Sequence, residues 1–147
     1  MNNKEIFSKE IINPTITKAN YLENEIDKTF EKMKITHKKF DQEELSTIIN
    51  TLTKTFFKSE SNLLCPIELN EKSTEYNPKF WREIQHRIHQ KHLILLVYDS
   101  AYRAWEVDDA QDVASILHET TGYPFWVTDS EFTFLVHMDD HDCIHWA

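Results

Sequence analysis

Glycine is almost missing from this sequence, because Gly122 is the only one among its 147 residues. Phosphate-binding loops, dinucleotide-binding fingerprints and the nucleophile elbow of hydrolases each need at least two glycines at fixed spacing. The single glycine therefore excludes these classes of nucleotide-binding protein and hydrolase.

Cysteines are also scarce, and long hydrophobic runs are missing. Cys65 and Cys143 form neither a disulfide framework nor a CxxC pair, so we expect free thiols in a reducing compartment. The longest apolar run, Leu93 to Tyr98, is far too short to cross a bilayer. The opening segment has no apolar stretch typical of a signal peptide. These features predict a cytoplasmic protein that is not associated with a membrane.

Positive charge is nearly missing from residues 92–147, which carry eleven carboxylates and one fixed positive charge, Arg103. Their net charge of −10 slightly exceeds the −9 of the whole chain. A nucleic-acid-binding protein needs Lys and Arg facing phosphates, so we expect no nucleic-acid partner. Charge of one sign instead speeds encounter with a cationic partner, although it is also typical of a well-solvated surface.

The remaining composition is that of a globular protein, with 40% hydrophobic and 12% aromatic residues. Its length predicts a single domain over residues 1–147, in which the polar residues 1–14 are loosely held.

The first part of the chain has the apolar spacing of helices. Apolar residues recur every three or four positions from about Thr17 to Lys34, and again after Asp41, whose spacing to Glu44 is typical of a capping box. The connection from about His37 to Phe40 is short, which predicts that these two helices form an antiparallel pair. Residues 59–77 have no periodicity and are predicted to be a loop. Asn77-Pro78 then marks the start of a short third helix.

The second part predicts the order β-β-α-β-β(-β). A fourth helix is expected over residues 109–121, capped by Asp108 and ended by Gly122 in a left-handed conformation. The predicted strands cover residues 93–98, 103–107, 125–128 and 132–138, with a short terminal strand at 143–146. The fold class is therefore α+β, with the N-terminal helical pair packed with a mostly antiparallel sheet and helices covering one sheet face.

One segment near the end invites a metal interpretation. In an extended conformation His137, Asp139 and His141 would point to one side, and such ligands suit Zn, Mn, Fe or Ni. A small metal-dependent enzyme is therefore one alternative. The competing interpretation is a hairpin turn whose Asp side chains bind turn amides. Since no second ligand cluster with a recognised spacing exists, we expect no metal, no cofactor and no catalytic residue.

Two groups of acids offer a binding surface instead. Asp108, Asp109 and Asp112 lie at the start of the fourth helix, and a second group lies on a turn between strands: Asp139, Asp140 and Asp142. Together they are predicted to form an anionic face for a partner with a basic surface. Tyr102 and Trp146 would supply aromatic anchors, whereas Trp105 is predicted to lie in the core.

A resemblance adds to this interpretation. The residues that carry it are Trp81, Trp105, the strand Phe125 to Asp129, the run Phe132 to Val136, and the turn residues His141-Asp142. In these features the last 70 or so residues resemble small bacterial immunity-type and uncharacterised proteins found beside polymorphic toxins. The resemblance implies a non-enzymatic protein that neutralises a cognate toxin by stoichiometric occlusion. An acidic structural or oligomeric subunit is the other alternative.

Overall fold

The computed structural model describes residues 20–120 and 122–147. These residues form four helices and a seven-stranded sheet. The helices are α1 (Tyr21–Met33), α2 (Gln42–Phe56), α3 (Phe80–Arg87) and α4 (Ala110–Glu119). The strands are β1 (His37–Lys39), β2 (Ser73–Tyr76), β3 (Leu93–Tyr98), β4 (Tyr102–Val107), β5 (Phe125–Asp129), β6 (Leu135–Met138) and β7 (Cys143–Trp146). The predictions for residues 1–14 and for a helix start at Thr17 lie outside the described residues.

The predicted α+β class is confirmed. Every strand pair is antiparallel, and the strand order across the sheet is β1-β4-β3-β5-β6-β7-β2. The second half of the chain has the predicted order β-β-α-β-β-β, including the short last strand. None of the helices in the described part of the chain is both long and apolar enough to span a membrane.

The predicted pairing of the first two helices with each other is wrong. The connection between them is not a plain loop but the edge strand β1, in which His37 pairs with Val107 and Lys39 with Trp105. Passing through the sheet edge brings the chain from one sheet face to the other. Consequently α1 and α2 pack on opposite faces of the sheet, and the expectation that helices cover a single face is also wrong.

Two hydrophobic cores result from this arrangement, one on each face of the sheet. Alternate residues of β3 divide between them: Leu95 faces α1, α3 and α4, and Leu96 faces α2. Trp105 is fully buried in the first core, as predicted, and its Nε1–H donates to Asp27 of α1 at 2.9 Å. A strand buried on both faces explains why the sequence of β3 is continuously apolar.

Residues 59–77 contain more structure than the predicted loop. Pro66–Glu68 form a 3-10 turn, and residues 73–76 form β2, which pairs with β7 at the second edge of the sheet. Phe57 and Leu69 also pair through an isolated bridge, and both are buried under α2. This segment is therefore held against the sheet by its backbone and by apolar contacts.

Several helix ends differ from the prediction by one or two residues. The N-cap of α4 is Asp109 rather than Asp108, and the N-cap of α3 is Lys79 rather than Asn77. Strand β6 begins at Leu135, three residues later than predicted: Phe132 adopts a positive φ of 55°, and the Thr133 backbone N–H donates to the Asp129 carboxylate. The capping box of Asp41 and Glu44 is confirmed, and Gly122 has the expected positive φ, at 104°.

Candidate binding cleft

The six predicted acidic residues lie in two separate groups at opposite ends of α4. Asp108, Asp109 and Asp112 are at its start, where β4 ends beside the beginning of β3. The second group, Asp139, Asp140 and Asp142, lies on the turn between β6 and β7, beyond the pair Phe125–Met138 at the other end of the sheet. Since α4 has 10 residues, it is about 15 Å long. The structure therefore does not join all six carboxylates into one surface.

The first group, Asp108, Asp109 and Asp112, stabilises the start of α4. The Asp109 carboxylate accepts a hydrogen bond from the Asp112 backbone N–H at 3.2 Å and lies 3.9 Å from the Lys91 ammonium. Burial raises the pKa of Asp112, and the neighbouring Asp109 and Asp108 raise it further. Helix N-termini favour negative charge, so this group has a sufficient explanation in helix capping.

The second group borders a cleft of about 220 Å³. The cleft lies between the end of α4, the beginning of α3 and the β6–β7 turn. Its apolar lining comes from Trp81, Leu117, Tyr123, Phe125 and Met138, together with Pro78, Gly122 and Pro124. Its acidic rim is Asp139, Asp140 and Asp142. The cleft thus combines an apolar floor with a rim of carboxylates, and no cationic side chain is among the described residues that line it.

Asp139 differs from its two acidic neighbours because its carboxylate holds the turn together. One of its oxygens accepts hydrogen bonds from the backbone N–H groups of His141 and Cys143, at 2.8 and 3.0 Å. The other oxygen lies 3.0 Å from Nε2 of His145 on β7. This leaves the carboxylates of Asp140 and Asp142 as the rim groups available to a ligand. Asp140 lies 3.6 Å from the ring of His141, in a pair that is exposed to solvent.

His145 lies between two carboxylates. Its Nδ1 is 2.8 Å from Oε2 of Glu71, opposite the contact of its Nε2 with Asp139. Partial burial lowers the pKa of His145, but the hydrogen bonds with Asp139 and Glu71 outweigh that effect and raise it above its usual value. The pKa of Glu71 is lowered, chiefly by the hydrogen bond from the Thr74 hydroxyl and further by His145. Burial raises the pKa of Asp139, but its hydrogen bonds with His145 and the turn amides outweigh that effect and lower it. The two carboxylates favour the protonated ring, and the contacts of this ring tie the segment before β2 to the β6–β7 turn.

The ligands of the metal alternative, His137, Asp139 and His141, do not come together as a metal site in the structure. The buried ring of His137 stacks on Trp126 with its centroid at 3.9 Å, and its Nδ1 bonds to the Phe125 carbonyl. Burial lowers the pKa of His137 to about 4, so this ring is neutral. His141 is exposed and turned to Asp140. In residues 20–120 and 122–147 no group of three His, Cys, Asp or Glu side chains could hold a metal ion.

The two predicted aromatic anchors lie far apart and are both engaged in the fold. Tyr102 on β4 is half-buried next to α2, and its hydroxyl accepts a hydrogen bond from the Leu64 backbone N–H at 2.7 Å. Trp146 lies on β7, with three strands between it and β4. Its ring packs against Phe80 and under the guanidinium of Arg87. Neither residue lines the acidic cleft.

Glu75 joins Trp146 to the same network of side chains. It accepts two hydrogen bonds from Arg87, at 2.6 and 2.9 Å, and a longer one from the Trp146 indole. The Arg87 contact lowers the pKa of Glu75 to about 2. Trp146 therefore helps to fix β2 and α3 at the sheet edge.

Three aromatic residues line the acidic cleft, Phe125 on β5 together with Trp81 and Tyr123, and none of them is among the predicted anchors. Trp81 belongs to the apolar pattern of the predicted third helix and to the resemblance, and Tyr123 directly follows Gly122. What Trp81 and Tyr123 share in the sequence is their position, because each lies close to the end of a predicted helix. Comparison with known proteins adds no further guide to the site: no family model, curated protein or solved structure matches this chain.

Proposed function

We propose that this chain is a non-enzymatic binding protein that recognises a basic protein surface through the acidic cleft. The observation that carries the proposal is the cleft itself, in which Asp140 and Asp142 stand beside an aromatic and aliphatic floor. Protein interfaces combine apolar anchoring area with charges that steer the encounter and select the partner. Because His145 engages Asp139 from outside the cleft, the carboxylates of Asp140 and Asp142 are the rim groups suited to accept a cation from a partner.

The proposed partner is a bacterial toxin domain, and the proposed setting is the cytoplasm. This step rests on the resemblance of the last 70 or so residues to immunity-type proteins, and on the net charge of −10 over residues 92–147. A toxin that acts on nucleic acid presents a basic active site, which carboxylates can occupy in place of phosphates. Neutralisation would then be stoichiometric occlusion, through an interface of the order of 1,600 Å².

The test is protection of cells against the toxin domain encoded next to this gene. The chain is co-expressed with that domain, and survival and complex formation are measured. The cleft variant, Asp140→Asn with Asp142→Asn, removes two rim charges with little change in shape. The matched control is the helix-start variant, Asp108→Asn with Asp112→Asn, which removes two charges at the other end of α4.

The expected result is that the native chain and the helix-start variant protect and form a one-to-one complex, whereas the cleft variant binds at least about tenfold more weakly. Equal protection by both variants would place the interface elsewhere. A genome without a toxin gene beside this one, or a native chain that gives no protection, would contradict the immunity proposal.

A further inference from the structure

We propose that the acidic cleft is a pocket for one arginine side chain. The inference deepens the proposed function, on which it rests for its biological setting, by naming the group that the partner inserts. It depends on three features of the cleft: its lining, its charge and its aromatic wall.

The lining of the cleft matches an arginine side chain along its length. The three methylene groups of arginine need apolar contact, which Leu117, Phe125 and Met138 provide. A volume of about 220 Å³ accommodates a single side chain rather than a folded element. The occupant is therefore a side chain that is apolar along its stem and charged at its end.

The charge around the cleft is suited to a cation. Asp140 and Asp142 stand two positions apart on the turn, and Asp139 adds a third carboxylate that its contact with His145 already engages. The C-terminal end of α4 also borders the cleft through Leu117, and the last carbonyl groups of a helix carry partial negative charge. An anionic ligand would be repelled by these carboxylates, and a neutral one would gain nothing from them.

The aromatic wall favours arginine over lysine. Trp81 lines both the cleft and a neighbouring surface groove, and the guanidinium of Arg82, which lines that groove, lies 4.9 Å from the centre of the Trp81 ring. Tyr123 lines the cleft as well, and its hydroxyl is bonded to Thr120 at 2.6 Å, which fixes the ring. Guanidinium groups stack on aromatic faces while they donate to carboxylates in a planar fork, whereas an ammonium is a compact and strongly hydrated charge.

The test uses small probes and so does not depend on a toxin. N-acetyl-arginine amide is titrated into the full ¹⁵N-labelled chain, and the indole N–H signal of Trp81 is followed, with Trp81→Phe identifying that signal. N-acetyl-citrulline amide, which has the same shape without the charge, is the matched control probe. N-acetyl-lysine amide tests the preference for the guanidinium. The cleft variant and the helix-start variant are titrated in the same way, after their spectra confirm that they are folded.

We expect a saturable shift of the Trp81 signal with the arginine probe, an affinity lower by about tenfold for the lysine probe, and no saturation with citrulline. We expect the cleft variant to lose at least about tenfold in affinity and the helix-start variant to behave as the native chain. Equal responses to arginine and citrulline, an unchanged affinity in the cleft variant, or no saturation by arginine would each overturn the proposal. A chain that binds the arginine probe but no toxin would refute the immunity function and leave the pocket standing.

Discussion

The imidazole of His145 and the carboxylate of Asp139 meet at 3.0 Å, and this contact ties the last strand to the turn that carries the cleft carboxylates. Asp139 also accepts hydrogen bonds from two backbone N–H groups of the same turn. The carboxylate of Asp139 therefore fixes the backbone of the turn that carries Asp140 and Asp142. On the other side of its ring His145 contacts Glu71, which adds the segment before β2 to the same cluster.

The first prediction concerns the pH dependence of stability. His145 has a raised pKa in the folded chain, so its contribution is fully present below the pKa of the unfolded chain, near 6.5, and is lost as the pH rises through the folded value. We expect His145→Gln to lower the free energy of unfolding by about 1 kcal/mol near pH 6, and by less at higher pH. Urea unfolding between pH 5 and 9 measures this difference.

The control for that prediction is His141→Gln, because the ring of His141 is exposed and pairs only with Asp140. We expect this variant to follow the native chain at every pH. The prediction fails if the deficit of His145→Gln grows as the pH rises, which would mean that the ring is neutral when bound.

A second prediction concerns the buried indole of Trp105. Its Nε1–H donates to Asp27 at 2.9 Å, and the whole side chain is inaccessible to solvent. Trp105→Phe removes this donor and leaves a cavity, so we expect a loss of about 2–3 kcal/mol in unfolding free energy. Trp81→Phe, at a half-buried ring, should cost less than about 1 kcal/mol. A loss of similar size in both variants would argue against the role of the Asp27 bond.

A third prediction tests the start of α2. Asp41 accepts a hydrogen bond from the Glu44 backbone N–H at 2.8 Å, and Glu44 returns one to the Asp41 N–H at 2.9 Å. We expect Asp41→Ala to destabilise the chain by about 1 kcal/mol and Asp41→Asn to preserve most of the native stability. Thermal unfolding of the three proteins decides this, and an Asn variant as unstable as the Ala variant would contradict the capping role.

The fourth prediction concerns the rate of association with a basic toxin domain. If the rim carboxylates steer the encounter, the association rate constant should fall by about tenfold between low and physiological salt. In the cleft variant this dependence should be weaker, because two charges are gone. Stopped-flow measurements at several salt concentrations provide the comparison, and a native rate that does not change with salt would refute electrostatic steering.

Helices and inner strands were predictable from this sequence, because each carries its own periodic pattern. The capping box at Asp41, the positive φ of Gly122 and the apolar run of β3 are local signals that the structure confirms, although α4 ends at Glu119, two residues earlier than predicted. The edge strands were not predictable, because they carry no such pattern of their own. The sequences of β1, His37–Lys39, and β2, Ser73–Tyr76, are short and polar, and only pairing with β4 and β7 makes them strands.

The cleft was accessible to sequence reasoning only in part. The sequence indicated the acidic turn at Asp139, Asp140 and Asp142 as a binding region, but it did not indicate that Trp81 and Tyr123 lie beside that turn. Trp81 and Tyr123 reach the turn from other elements, and Glu71 reaches His145 across 74 positions of the chain. Such contacts follow from the order of strands in the sheet, which one sequence does not encode in any local pattern. Missing β1 also led to the wrong relation between α1 and α2.

The pairing of β2 with β7 constrains how the molecule is made. Glu75 and Trp146 are 71 positions apart, so β2 leaves the ribosome long before its neighbour has been synthesised. Contacts between distant parts of a chain form late, and until then an unpaired strand edge can associate with other chains. A nascent copy therefore has no finished cleft, and a partner that binds this cleft can be captured only after β7 has been synthesised.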